Sequence, residues 1–105
     1  MAAVKTALVI GGGIAGPVTA LALRKAGIEA TVYEAYATTA DGVGGQLTIA
    51  PNGLAALGIV GAGEVVRAVG LPMVRTIMTD GKGKQMGEFP GLVGLPPSRA
   101  LWRPD

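Results

Sequence analysis

With 105 residues the chain has room for one small core, and a domain of this size buries roughly two-thirds of the surface its unfolded chain exposes. Nine basic and seven acidic residues give a formal charge of +2, and the basic residues form no run, so a nucleic-acid partner is not expected. Cysteine and histidine are both absent, which excludes disulfides, thiolate or imidazole catalysis, and zinc sites built on those side chains. Half the residues are hydrophobic but only Tyr33, Tyr36, Phe89 and Trp102 are aromatic, a composition suited to helices laid on a parallel sheet.

The first apolar run, Thr6 to Ile10, stops abruptly at three glycines, as for a strand buried on both faces. From Ile14 onward Val18, Leu21 and the neighbouring alanines recur at helical spacing, with a basic last turn at Arg24 and Lys25 and a stop at Gly27. Pro17 fits as the fourth residue of a helix that starts at Ile14, because the first N–H groups of a helix have no partner within it. The uncharged stretch Thr6 to Leu23 also invites a targeting or membrane reading, but four glycines and Pro17 make a poor apolar helix. No membrane partner and a cytoplasmic location are therefore expected.

Ala30 to Tyr33 reads as a second strand, ended by Glu34, joined to the first by a right-handed helical crossover. Ala37 to Gly45 reads as a loop. Pro51-Asn52 opens a helix with Leu54 and Leu57 on one face and Gly58 as its stop, and a second helical stretch covers 62–69 with Glu64 near its start. Val74 to Thr79 and Lys84 to Phe89 flank Asp80-Gly81-Lys82-Gly83 and form a hairpin, whose Lys82, Lys84 and Glu88 make a solvated face. Residues 90–97 read as a loop, and no closing element is expected after it. The division expected is 1–71 for the nucleotide unit with its helices and 72–105 for the hairpin and the C-terminal residues.

Gly11-Gly12-Gly13-Ile14-Ala15-Gly16 matches G-x-G-x-x-G, a weak signal alone in a chain with 18 glycines. Its context strengthens it: a strand precedes, a helix of small residues comes next, and Glu34 closes the second strand 18 residues after Gly16. The fold class expected is α/β, a Rossmann-like βαβ dinucleotide-binding unit with parallel strands, followed by helices and a β-hairpin. Gly11 permits the tight turn, Gly13 lets a pyrophosphate approach the backbone, and Gly16 lets the helix pack on the strand. The N–H groups of Ile14 and Ala15 would face the phosphates at the positive end of the helix. Glu34 would accept from both ribose hydroxyls and repel a 2′-phosphate, which favours FAD or NAD over NADP. The βαβ unit does not choose between FAD and NAD.

Val9 to Pro17, then Val32-Tyr33-Glu34, then Gly45-Gln46-Leu47 leading to Pro51-Asn52-Gly53-Leu54-Ala55-Ala56-Leu57-Gly58, resembles the FAD-dependent monooxygenases of the aromatic-ring hydroxylase type. The hairpin and Arg103-Pro104-Asp105, similar to that family's Arg-x-Asp-Leu element, extend the resemblance over nearly the whole chain. It implies that the chain corresponds to the first quarter or so of such an enzyme, an incomplete FAD-binding domain. By the same resemblance Gly11, Gly13, Ile14, Ala15, Gly16 and Glu34 bind the ADP moiety of FAD, and Arg103 approaches the cofactor, with Arg99 the alternative. The hairpin would belong to the substrate-domain sheet. The parent enzyme would use NAD(P)H and O2 to hydroxylate a small organic, aromatic-type substrate. No residue of the chain is a candidate catalytic group or metal ligand, so the isolated 105 residues are expected to be inactive. A stand-alone NAD-binding or sensing module is the alternative reading.

Overall fold

A computed structural model describes residues 3–38 and 44–102. Two parallel strands, β1 (Thr6–Ile10) and β2 (Glu29–Tyr33), pair in register from Thr6 opposite Glu29 to Ile10 opposite Tyr33. The helix α1 (Ala15–Lys25) crosses between them and packs on both. Pro17 is thus the third helical residue, one place earlier than a start at Ile14 implies, and still removes no intrahelical bond. Arg24 and Lys25 supply the basic last turn.

The end of α1 is fixed by backbone geometry. Gly27 adopts φ +80°, Ile28 N–H donates to Leu23 O at 2.9 Å, and Gly27 N–H donates to Arg24 O at 3.0 Å. These are the two bonds of a Schellman motif, and they turn the chain directly into β2. Side chains of β1 and β2 alternate in burial: Ala7, Val9, Ala30 and Val32 are half-buried, while Leu8 and Ile10 are 70% and 82% exposed. The strand expected to be buried on both faces is therefore covered on one, by α1, because among the described residues no second layer lies on the opposite face of the pair.

The second sheet has three antiparallel strands, β3 (Leu47–Ile49), β4 (Leu71–Met73) and β7 (Ser98–Leu101), with β7 in the middle. Thr48 and Leu71 flank Ala100, and Ile49 and Pro72 flank Arg99. Pro72 lacks an N–H and accordingly sits on an edge strand. The expectation of no closing element after residue 97 is overturned by β7. Two three-residue strands and a four-residue one give too short a pattern to read, and their pairing joins distant parts of the chain. The division expected between residues 71 and 72 falls inside β4.

Between β3 and β4 lie α2 (Pro51–Ile59) and α3 (Gly63–Val69). Pro51 at the first helical position loses no bond, and its fixed φ suits a helix start. Leu54 points into the core and is 1% exposed. The expected stop at Gly58 is corrected: α2 continues to Ile59, and the stop is Gly61, at φ +81°, with Gly61 N–H on Gly58 O at 3.2 Å and Ala62 N–H on Leu57 O at 2.9 Å. Gly58 has a different task. A Cβ on Gly63 would lie 3.1 Å from Gly58 Cα, so the two helices meet backbone to backbone at this pair.

The hairpin is made by β5 (Arg75–Thr79) and β6 (Gln85–Pro90), with a register shift between Met78 and Thr79. Asp80 organises its turn: its Oδ1 accepts from Lys82 N–H at 2.9 Å and Lys84 N–H at 2.8 Å, its carbonyl accepts from Gly83 N–H, and Gly83 takes φ +83°. Glu88 does not stand free on the solvated face; its Oε1 pairs with Arg75 Nη1 at 3.3 Å. That pair is exposed and contributes little to stability.

Among the described residues, Leu54 and Ala100 are the hydrophobic residues that are buried, whereas Leu8, Ile10, Met86 and Phe89 are each more than half exposed. The radius of gyration is 17.8 Å, against about 13 Å for a compact domain of this length. With so little apolar area removed from water, the 105-residue chain on its own should unfold over a broad temperature range and bind a hydrophobic dye before unfolding. Calorimetry with dye fluorescence checks this, and a sharp cooperative transition would refute it.

Candidate nucleotide-binding site

The site is built where β1 ends. Gly11 adopts φ +108°, a conformation that a side chain would strain, and its N–H donates to Tyr33 O at 2.7 Å. The bend is thereby tied to the end of β2. Gly16 lies under it: a Cβ there would overlap Gly11 O and approach Val9 Cγ1 to 3.5 Å. The tightest approach at residue 16 is thus to the Gly11 carbonyl, and the packing of the helix on the strand expected of this glycine, against Val9, comes second.

Ile14 is the N-cap residue of α1, in helical conformation, and Ala15 is the first helical residue. No side chain caps this helix end, and no acidic residue occupies its first turn. Its leading N–H groups and the positive end of its dipole are therefore left for an external acceptor. A Cβ on Gly13 would meet nothing within 4 Å, so bare backbone at the bend faces open space. Thr19 spends its hydroxyl within the helix, on Ala15 O at 2.7 Å.

Glu34 lies directly after β2, beside the bend. Its Oε2 accepts from Gly12 N–H at 2.8 Å, and its Oε1 accepts from Tyr36 N–H at 3.0 Å. These bonds, Tyr36 first and Gly12 second, hold the Glu34 carboxyl below its ordinary value of 4.5, with a smaller contribution from Ala35 N–H, and outweigh the opposing effect of lost hydration. An ionised carboxylate has about four acceptor positions. The amides at hydrogen-bonding distance, Gly12 on Oε2 and Tyr36 on Oε1, do not use up these positions, and a vicinal diol needs two.

Gly11, Gly13, Ile14, Ala15, Gly16 and Glu34 are thus brought to one end of the β1–α1–β2 unit. Arg103 lies outside the described residues. Arg99, the alternative to it, stands in β7 and donates from Nη1 to Gly70 O at 3.0 Å, a bond that ties the central strand to the end of α3. Sequence reasoning missed Gly12 and Tyr36, which act through their backbone N–H groups. Gly12 occupies a position that the glycine pattern leaves open, and nothing in a residue's identity reports where its amide points. Among the described residues no cluster of three His, Cys, Asp or Glu could hold a metal, and no helix is long and apolar enough to cross a membrane.

Residues 9–52 match the family model of the NAD(P)-binding Rossmann-like domain. The chain is 36% identical over 84 residues to an FAD-dependent urate hydroxylase of Klebsiella pneumoniae, covering 79% of this chain and 22% of that protein. It is 38% identical over 80 residues to a 3-hydroxybenzoate 6-hydroxylase of Klebsiella oxytoca, covering 76% and 18%. Among solved structures, that of Klebsiella pneumoniae HpxO complexed with FAD and uric acid superposes with a TM-score of 0.77 at 27% identity, over 94% of this chain and 26% of that one. A tetrameric form of 2-methyl-3-hydroxypyridine-5-carboxylic acid oxygenase gives 0.80 at 25% identity, over 97% and 26%. The chain therefore spans about a quarter of the length of the proteins it resembles.

Two outcomes test the geometry. Gly16→Ala should destabilise the βαβ unit by about 3 kcal/mol, at the upper end for overpacking because the obstacle is backbone; a chemical-denaturation midpoint equal to that of the original would refute this. Glu34 has a folded value below its unfolded one, so its charged form contributes stability above pH 4.5, and the contribution disappears as pH falls through the lowered value. The stability difference from Glu34→Gln should stay constant between neutral pH and about pH 5 and close only under more acidic conditions. A difference that closes above pH 5 would contradict the assigned amide bonds.

Proposed function

Because this chain is homologous to the N-terminal part of FAD-dependent hydroxylases and monooxygenases, we propose that it forms the ADP-binding portion of a flavin-dependent monooxygenase. The observation that carries this reading is the Glu34 carboxylate, held by two amides beside an uncapped helix start and a side-chain-free bend. The three features match two parts of adenosine diphosphate: Glu34 faces the ribose diol, and the pyrophosphate passes close over Gly11 and Gly13 to the N–H groups of Ile14 and Ala15.

Each residue has a distinct task in this proposal. Gly11 and Gly16 set the path of the backbone, and Gly13 leaves the phosphate side open. Ile14 and Ala15 donate to phosphate oxygens through their amides. Glu34 receives the ribose hydroxyls, and its negative charge, favoured by the amides of Tyr36 and Gly12, repels a 2′-phosphate at the same place. Arg103 is assigned to approach the cofactor. Lost hydration of the pyrophosphate is offset by fixed N–H dipoles that need no reorganisation.

When bound, FAD supplies the redox chemistry, using NAD(P)H and O2 to hydroxylate a small organic substrate of aromatic type. The 105 residues hold and orient the cofactor and carry no acid or base for the reaction, so the chain alone is inactive in this proposal. The β1–α1–β2 unit is the nucleotide-binding part in this proposal, and the hairpin β5–β6 begins the substrate-facing part.

The alternative, an NAD-binding module without catalysis, is favoured by one observation, the match of residues 9–52 to an NAD(P)-binding model. Titrating the chain with FAD, NAD and NADP by calorimetry separates the two. FAD binding, with NADP at least about tenfold weaker than NAD, is the expected result, since like charges placed together cost several kcal/mol. NAD binding without FAD binding would favour the sensing module, and binding of neither would overturn both.

A further inference from the structure

We propose that Gly12, the residue that the glycine pattern leaves unspecified, is a positioning residue for Glu34 and thereby sets the preference of the site for an intact ribose diol. The inference rests on the reading of this site as one for adenosine diphosphate.

Two properties of Gly12 act on the same side chain. Its N–H donates to Glu34 Oε2 at 2.8 Å, fixing one carboxylate oxygen while Tyr36 N–H fixes the other at 3.0 Å. Its missing side chain leaves the space that Glu34 occupies: a Cβ at residue 12 would lie 3.0 Å from Glu34 Oε2 and 3.2 Å from Glu34 Cβ, inside ordinary contact, which begins at 3.4 Å. The nearest atoms to that added carbon all belong to Glu34. A methyl group would therefore press on the acid first.

The backbone itself does not require glycine at this position. Gly12 is absent from the residues with positive φ, unlike its neighbour Gly11. Alanine is thus conformationally allowed, and its cost falls on the placement of the carboxylate. Gly13 provides the contrast, since a Cβ there meets nothing within 4 Å and projects into the open side of the bend. The two adjacent glycines serve different parts of a ligand. Gly13 keeps the phosphate approach clear, and Gly12 keeps the carboxylate plane where it meets two hydroxyls.

The test compares ADP with 2′,3′-dideoxy-ADP on the original chain, Gly12→Ala, Gly13→Ala and Glu34→Gln. The original chain should prefer ADP by about tenfold or more, the range for hydrogen bonds to a charged group. Gly12→Ala should bring this ratio close to one while the dideoxy compound still binds. Gly13→Ala should weaken both ligands together and leave the ratio in place. In a Glu34→Gln background Gly12→Ala should no longer change the ratio. A ratio that survives Gly12→Ala overturns the inference while leaving the nucleotide reading intact, and failure of the original chain to bind ADP overturns both.

A second measurement needs no variant at residue 12. The Gly12 amide proton resonance should move with pH as Glu34 titrates, below pH 4.5, and should lose that movement in Glu34→Gln. A Gly12 resonance that ignores this titration overturns the assignment even if Gly12→Ala does not fold.

Discussion

The structure turns on the absence of a side chain at Gly16, where the helix start meets the carbonyl of Gly11. The Gly11 carbonyl occupies the place where a Cβ of residue 16 would stand, so α1 can begin only as close to β1 as it does because residue 16 has no Cβ. Gly11, at φ +108°, bends the chain so that its N–H reaches Tyr33 at the end of β2. Together these contacts set the helix start, the bend and the tip of β2 within hydrogen-bonding range of one another. Glu34, the next residue after Tyr33, inherits its position from that arrangement.

The result is a division of labour between backbone and side chain. The bend and helix start offer amides, which act on any anion, while Glu34 offers a carboxylate held in place by amides. Its charge is favoured by amide donors and is not opposed by deep burial, because the carboxylate lies at the surface. Homologues with different named substrates, urate and 3-hydroxybenzoate among them, are similar to this segment.

The remainder is organised by long-range pairing. β7 joins β3 and β4, which lie far apart in sequence, and Arg99 extends the connection to Gly70. Much of the apolar surface nonetheless stays open, on Leu8 and Ile10 of β1 and on Met86 and Phe89 of β6. The local elements satisfy their own hydrogen bonds through Schellman turns and the Asp80 turn, so they form without a large common core. Their order is local, and the hydrophobic term that would bind them tightly together is small.

The sequence alone determined what depends on neighbouring residues: the strand from Thr6 to Ile10, the helix that ends at Gly27, the hairpin around Asp80-Gly81-Lys82-Gly83, and the glycine and acid spacing that suggests a nucleotide site. Such features are set by side-chain periodicity and by the φ values that glycine alone takes easily. Tertiary structure decided what depends on distant partners. It placed Ser98 to Leu101 between two strands too short to carry a pattern, set Gly58 against α3 while the stop of α2 fell at Gly61 with its φ of +81°, and left one face of β1 open. It also revealed the amides of Gly12 and Tyr36 as the supports of Glu34, since every residue but proline carries the same N–H and only the fold decides where it points.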